Sequence, residues 1–335
     1  MSLQRETDKF SESPHIGSCL STPSSCAWIL VGPTATGKTA VSNELARRLG
    51  ADVLSADSML VYRGMDIGTA KPTAAECAGL EMHGVDIVGP DETFNVGIWL
   101  EAARAGFESA ARKGRDLVVA GGTGFYVNAL LRGIDAPPAE DPARREELAA
   151  LFASGGIEAL RDTAETLSPG SVATLSDASN PRRVMRLIEK LKADPASVPP
   201  AGGVECRGSV VAGLHVEPAV LERRIVVRVA KMFEMGLLDE VAGLRAKYPN
   251  FSDTAGKGIG YAEAIAVLDG ELSQAEAVGR MVVRTRQLAK RQRTWFRHQL
   301  NVEWVSGPVD ESDVARAADD VLEVWKRNGK SSMSW

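Results

Sequence analysis

The sequence predicts an α/β protein: a parallel sheet flanked by helices and interrupted by a helical insertion. Three observations predict it. Short apolar runs alternate with longer stretches of helical spacing through the first half of the chain. The first run feeds a glycine-rich loop that opens into a helix. The alternation then lapses between Pro142 and Ala193, where only helical patterns occur, and resumes at Ser209–Val216.

Residues 1–26 are rich in Ser, Pro and polar residues and lack a hydrophobic signal core, so they read as a disordered tail. Ala27–Val31 is a short apolar run, a buried strand, and from Thr39 to Leu49 the apolar residues Val41, Leu45, Ala46 and Leu49 fall at helical spacing. Strands are expected at Val53–Ala56, Val85–Val88 and Leu117–Ala120, with helices at Val96–Arg112 and Phe125–Leu131. After "GIDAPPAEDP" the rhythm changes. The helical patterns there include 181–193, followed by the linker "DPASVPPAGG". Ser209–Val216 returns the chain to the sheet. A helix over 273–298, a strand at Val302–Val305 and a closing helix near 310–327 complete it. Residues 27–136 and 206–330 thus form the core with its C-terminal helices, and 137–205 the helical insertion domain.

Composition narrows the function classes. With 44% hydrophobic residues the chain can bury a sizeable core, and a net charge of −5 argues against indiscriminate coating of nucleic acid, though not against a local basic patch. Cys19, Cys26, Cys77 and Cys206 form no CxxC pair and no histidine pairing, which argues against a structural zinc site or a disulfide framework. No apolar run reaches the roughly 20 residues that span a bilayer. A soluble, cytoplasmic protein is expected, with no membrane partner.

The glycine loop is "GPTATGKT": Gly32, Pro33, Thr34, Ala35, Thr36, Gly37, Lys38 and Thr39. This spacing turns successive backbone N–H groups onto phosphate oxygens, and the following helix adds the positive end of its dipole. Lys38 supplies charge to the terminal phosphates, and the Thr39 hydroxyl is the expected Mg²⁺ ligand. The fold expected is therefore P-loop NTPase-like. The loop does not by itself name the reaction.

Three clusters narrow it. In "SADSMLVYRGMDIGTAKPT", Asp57 lies at the carboxyl end of a strand beside the loop, where open α/β sheets place ligands. It serves there as a metal ligand through water, as a general base, or simply as a solvated loop residue. In "VVAGGTGFYVNALLRG", Gly121 and Gly122 let backbone approach a ligand, and the Thr123 hydroxyl caps the next helix, faces the transferred group, or does both. In "GRMVVRTRQLAKRQRTWFRHQ", seven Lys and Arg from Arg280 to Arg297 occur without one acidic residue. Such cations repel one another on an empty surface, and a polyanion such as RNA relieves this. Arg182, Arg183 and Arg186 form a second basic group.

At these clusters the sequence closely resembles the tRNA dimethylallyltransferase family. The matching stretches are "GPTATGKT", "SADSMLVYRGMDIGTAKP", "GGTGFYVNALLRG", "NPRRVMRLIE", "KGIGYAEA" and "RTRQLAKRQRTWFR", in family order from about residue 28 to 300. The resemblance implies transfer of a dimethylallyl group from dimethylallyl diphosphate to N6 of adenosine 37 in the tRNA anticodon stem-loop. It implies diphosphate binding by Gly32 to Thr39 and Arg224, with Mg²⁺ placed by Thr39. Asp57 is implied as the base and Thr123 as a hydrogen-bond donor near the bridging oxygen. For tRNA it implies contacts by Asp57, Ser58, Met59, Leu60, Thr123, Arg145, Arg182, Arg183, Arg186, Lys257, Gly258, Gly260, Tyr261, Arg286, Lys290, Arg291, Arg293 and Arg297. The chain lacks the C-terminal zinc finger of eukaryotic relatives, which implies the bacterial type, and a monomer is expected. Two other readings use the same loop: a small-molecule or nucleotide kinase, and a nucleotide-gated RNA-binding protein without catalysis.

Overall fold

The computed structural model describes residues 26–133, 142–175, 177–193 and 210–332. The N-terminal tail up to residue 25, Cys19 and Cys206, and the expected insertion boundaries at 137 and 205 lie outside them. Seven strands are described: β1 (Cys26–Val31), β2 (Asp52–Ser55), β3 (Met82–His83), β4 (Leu117–Gly121), β5 (Val211–His215), β6 (Val302–Ser306) and β7 (Ser331–Ser332). Between and around them run α1 (Lys38–Leu49), α2 (Val96–Arg112), α3 (Gly124–Arg132), α4 (Pro142–Leu167), α5 (Pro181–Ala193), α6 (Pro218–Glu234), α7 (Leu237–Lys247), α8 (Asp253–Gly256), α9 (Tyr261–Leu268), α10 (Gln274–Gln299) and α11 (Val314–Asn328).

The strands line up as β3-β2-β4-β1-β5-β6, all parallel, and β7 pairs antiparallel with the start of β1. Cys26 therefore begins β1 rather than closing the tail. Leu30 stands in register with Ala120 on one side and Ala212 on the other, so β1 is sealed between β4 and β5. Burial on both faces explains why these strands read as continuous apolar runs. On one face α1 and α11 cover Leu30, Val53, Val118 and Ala212, with Trp325 stacked on Trp28 at 5.3 Å and its Nε1–H donating to the Ile29 carbonyl. On the other face Ile29, Val31, Leu54 and Val119 pack under the larger cluster that holds Trp99, Tyr126, Met281 and Phe296.

Helix starts follow local chemistry. The Asn95 side chain accepts the Gly97 and Ile98 N–H groups and opens α2 at Val96. Ser273 and Glu276 form a capping box at the head of α10. With 26 residues, α10 is about 39 Å long, enough to reach from the loop end of the sheet to the neighbourhood of α9.

The strand expected at Val85–Val88 does not form. Gly84 and Asp86 take positive φ of 75° and 52°, which ends the extended path after Met82–His83, and Val88 keeps only a single bridge to Tyr62. Helices α4 and α5 pack on each other around a core of their own, with Leu148, Leu160, Ala164, Val184, Leu187 and Ile188 buried.

Candidate active site

The carboxyl ends of β1, β2 and β4 gather three loops at one edge of the sheet. After β1 the chain turns through Gly32 to Gly37, where Ala35 and Gly37 hold φ of 64° and 89°. Gly37 caps α1 in the left-handed region, a conformation that any side chain would strain. Pro33, Ala35 and Thr36 are buried, Thr34 and Lys38 half-buried, and Thr39 is exposed. Lys38 curls over the loop, donating from Nζ to the Pro33 carbonyl at 2.6 Å. Burial pushes its amine down to about 7, opposed by the Asp57 carboxylate and reinforced by the Arg228 guanidinium.

Asp57 follows β2 by two residues, and its Oδ1 accepts the Met59 N–H at 2.9 Å. The end of β4 presses on this turn. A Cβ on Gly121 would lie 2.1 Å from the Ala56 carbonyl oxygen, so only glycine lets the two loops meet. The Thr123 N–H then donates to Ala56 O at 3.0 Å, and the Thr123 hydroxyl accepts the Ser58 N–H at 3.0 Å. Thr123 occupies the N-cap position of α3 without a side-chain cap bond. Its hydroxyl therefore does not cap the helix; it accepts from the Asp57–Ser58 turn, a contact that neither sequence reading named.

Two residues missed in the sequence tie the site together. Gln292 of α10 accepts the Thr34 N–H at 2.8 Å and donates from Nε2 to the Gly122 carbonyl at 3.0 Å, bridging the phosphate loop and the Thr123 loop. It lies three residues from buried Ala289 and four from buried Phe296, so its place on the inward face was readable from spacing. Arg228 is the other. The expected diphosphate ligand, Arg224, spends its guanidinium on the carbonyls of Ala35, Pro308 and Val309 and braces the loop from behind. One turn on, Arg228 is half-buried, with Nη1 3.5 Å from the Thr34 hydroxyl. Burial lowers its pKa, followed by repulsion from Arg224, while Asp57 opposes the shift.

The basic face is less bare than its sequence suggests. Arg284 pairs with Glu263 and donates to the Lys257 carbonyl, and Arg286 pairs with Glu222 at 3.0 Å. Lys290, Arg291, Arg293 and Arg297 have no acidic partner among the described residues. A cavity of about 160 Å³ beside the loop is walled by Pro33 and Thr36, by Leu221 and Ile225 of α6, and by Lys290 and Arg293.

On the insertion, Arg182, Arg183, Arg186 and Lys190 line one groove. Arg186 and Arg145 also clamp buried Glu189, at 2.6 and 3.5 Å, so part of their charge is answered within the protein. Lys257 pairs with Asp253 and stays exposed, but Gly258, Gly260 and Tyr261 are buried. The Tyr261 hydroxyl donates to Glu240 Oε1 at 2.6 Å, and a Cβ on Gly258 would meet Met59 at 2.5 Å. Gly258 thus lies against Met59, and Gly260 and Tyr261 against Gly68, so all three support the stretch after Asp57 from within. Half-buried Ser58, Met59 and Leu60 line the turn itself.

Comparison with known proteins agrees with this geometry. Residues 60–299 match a sequence family described as IPP transferase, and residues 26–86 match one described as isopentenyl transferase. The chain is 39% identical over 299 residues to a protein of Anaeromyxobacter sp. (strain Fw109-5) named tRNA dimethylallyltransferase, covering 87% of this chain and 98% of that one. It is 38% identical to the tRNA dimethylallyltransferase of Corynebacterium efficiens, over 87% of this chain and 97% of the relative. Its fold is similar to the crystal structure of a tRNA isopentenylpyrophosphate transferase from Bacillus halodurans, with a TM-score of 0.62 and 36% identity over 90% of this chain and 99% of that one.

Proposed function

The chain belongs to the IPP transferase family, that of the tRNA dimethylallyltransferases, and from that premise we propose that it prenylates N6 of adenosine 37 in tRNA with dimethylallyl diphosphate as donor. One observation carries the reading. Gln292 sits on a helix whose solvent face is cationic, and it hydrogen-bonds both the phosphate loop and the loop of Thr123. A single rigid element thereby joins a grip for polyanionic RNA to a cradle for diphosphate.

The chemistry follows from the groups present. The lone pair of the adenine N6 amine is delocalised into the ring, so the amine attacks only a carbon whose leaving group is stabilised and close. As the new N6–C bond forms, the allylic C–O bond breaks and its electron pair goes to the diphosphate. Loop N–H groups, Lys38 and Arg228 neutralise that charge with donors already held in place. Asp57 takes the N6 proton, and Thr123 fixes the turn that carries Asp57. A hard divalent ion such as Mg²⁺ needs only one or two protein ligands beside phosphate oxygens. Thr39 fits that demand, exposed at the start of α1 with a hydroxyl that donates no hydrogen bond among the described residues. The ion would add charge neutralisation on the diphosphate. No helix among the described residues is long and apolar enough to cross a membrane, and the protein is read as a cytoplasmic monomer acting on free tRNA.

Incubation with labelled dimethylallyl diphosphate and unmodified tRNA, followed by nucleoside analysis, is expected to yield N6-(dimethylallyl)adenosine and free diphosphate. ATP turnover with a phosphorylated product would instead establish the kinase, and tight tRNA binding without any prenyl product the non-catalytic binder.

A second expectation concerns protons. Lys38 titrates near 7 in the free enzyme, and an adjacent diphosphate raises that value because it favours the charged amine. Near pH 8 only about a tenth of the free enzyme carries the Lys38 proton, so binding takes up close to one proton; near pH 6 the amine is already charged and uptake at Lys38 falls to about a tenth. Calorimetric titration with inorganic diphosphate at about pH 8, in buffers of different ionisation enthalpy, measures this. Release of the diphosphate's own proton is common to both proteins, so wild type should take up close to one proton more than Lys38→Arg, which is charged throughout; equal proton exchange in both would remove Lys38 from the site.

A further inference from the structure

A second cluster of ligating side chains lies at the other end of the strands. Asp52 opens β2, and Glu81 and His83 belong to the edge strand β3 and the residue before it. From Asp52 to Ser55 the strand spans about 10 Å towards the phosphate loop, so the cluster is separate from the prenyl-transfer site. The Asp52 side chain is fully buried. Its Oδ1 accepts from Arg115 Nη1 at 2.8 Å, whereas its Oδ2 is sealed from solvent and makes no hydrogen bond. His83 Nε2 is sealed and unbonded too, 3.6 Å from Asp52 Oδ2 and 3.7 Å from Glu81 Oε1. The imidazole lies against Gly106 of α2, where a Cβ would come within 3.0 Å of the ring, so α2 holds it towards the carboxylates.

These separations are too long for hydrogen bonds. They match the edges, about 3.3 to 3.8 Å, of a tetrahedral or trigonal set of N and O ligands each about 2.0 to 2.2 Å from a zinc ion. One ligand atom from each of the three residues lies within 4.8 Å of the others. The remaining carboxylate oxygens are already held: Arg115 grips Asp52 Oδ1 and Lys113 grips Glu81 Oε2. That is how outer hydrogen bonds orient carboxylates around a metal. The ligand oxygen Glu81 Oε1 has only a long contact of 3.4 Å from Ser109 Oγ.

We propose that Asp52 Oδ2, Glu81 Oε1 and His83 Nε2 bind one Zn²⁺, a structural ion that fastens the two-residue edge strand β3 to β2. An imidazole among the ligands favours zinc over Mg²⁺ or Ca²⁺. The scattered cysteines argued against a zinc site because they offered no thiolate pair, and this one uses none.

The full chain, freed of metal with chelator and held in excess Mg²⁺, is titrated with ZnCl₂ by calorimetry and by thermal unfolding. One equivalent of Zn²⁺ should bind and raise the unfolding temperature. His83→Gln and Glu81→Gln should each weaken that binding roughly tenfold or more and abolish the thermal shift. Glu81 is partly exposed, so its variant decides the matter should His83→Gln fail to fold. The proposal is overturned if the wild-type chain takes up no zinc, or if uptake survives Glu81→Gln undiminished.

Discussion

Replacing Asp57 by Ala or Asn is expected to lower the rate of prenyl transfer roughly 10²- to 10⁴-fold, the span that a positioned general base contributes. The two variants separate the possible roles. Asn keeps an oxygen that accepts the Met59 N–H, so the turn is retained while the proton acceptor is lost. A base therefore predicts equal collapse in both, and a merely structural aspartate predicts that Asn is nearly normal. One side effect has a known sign. Asp57 raises the Lys38 pKa against burial, so without it the amine falls below about 7 and carries less charge at neutral pH. Donor binding then weakens as pH rises. Single-turnover rates at saturating donor, near pH 6.5, isolate the chemical step, and tRNA affinity measured alongside should change far less. An Asn variant of near-normal rate would falsify the assignment.

The site was legible where its signals are local. The loop, Asp57 and Thr123 each follow a strand by a fixed few residues, and strands alternating with helices bring such ends to one edge of a sheet. The helix bounds at Val96–Arg112 and 181–193 were readable because Asn95 stops one helix from starting earlier and a proline opens the other. What stayed hidden depends on partners distant in the chain. Arg224 and Arg228 share one face of α6, and only the carbonyls of Pro308 and Val309 show which of them braces and which faces inward. The stretch Val85–Val88 is apolar enough for a strand, but left-handed turns at Gly84 and Asp86 redirect it. Tyr261 sits in a stretch that resembles the family's tRNA contacts, yet its hydroxyl is spent on Glu240. The cations of α10 looked unopposed because Glu222 and Glu263 lie on other helices.

That last difference shapes the second large effect. Lys290, Arg293 and Arg297 follow one another at intervals of three and four residues, so they form a stripe along α10. None has an acidic partner among the described residues, and for a phosphodiester backbone such free cations matter because each contact releases a condensed counterion. Changing all three to Gln should reduce the slope of log affinity for tRNA against log salt by about 2 to 3, and weaken binding at low salt by about two orders of magnitude. Arg286→Gln should do much less, although Arg286 belongs to the same stripe, because Glu222 at 3.0 Å already offsets its charge. Lys290 and Arg293 also wall the cavity beside the loop, so the donor's KM is measured in the same variants. If the triple variant loses donor affinity but keeps the wild-type salt slope, the stripe serves the diphosphate and the RNA lies elsewhere. If Arg286→Gln matches the triple variant, the pairing with Glu222 does not persist in solution, and the charge of α10 must be counted from its sequence alone.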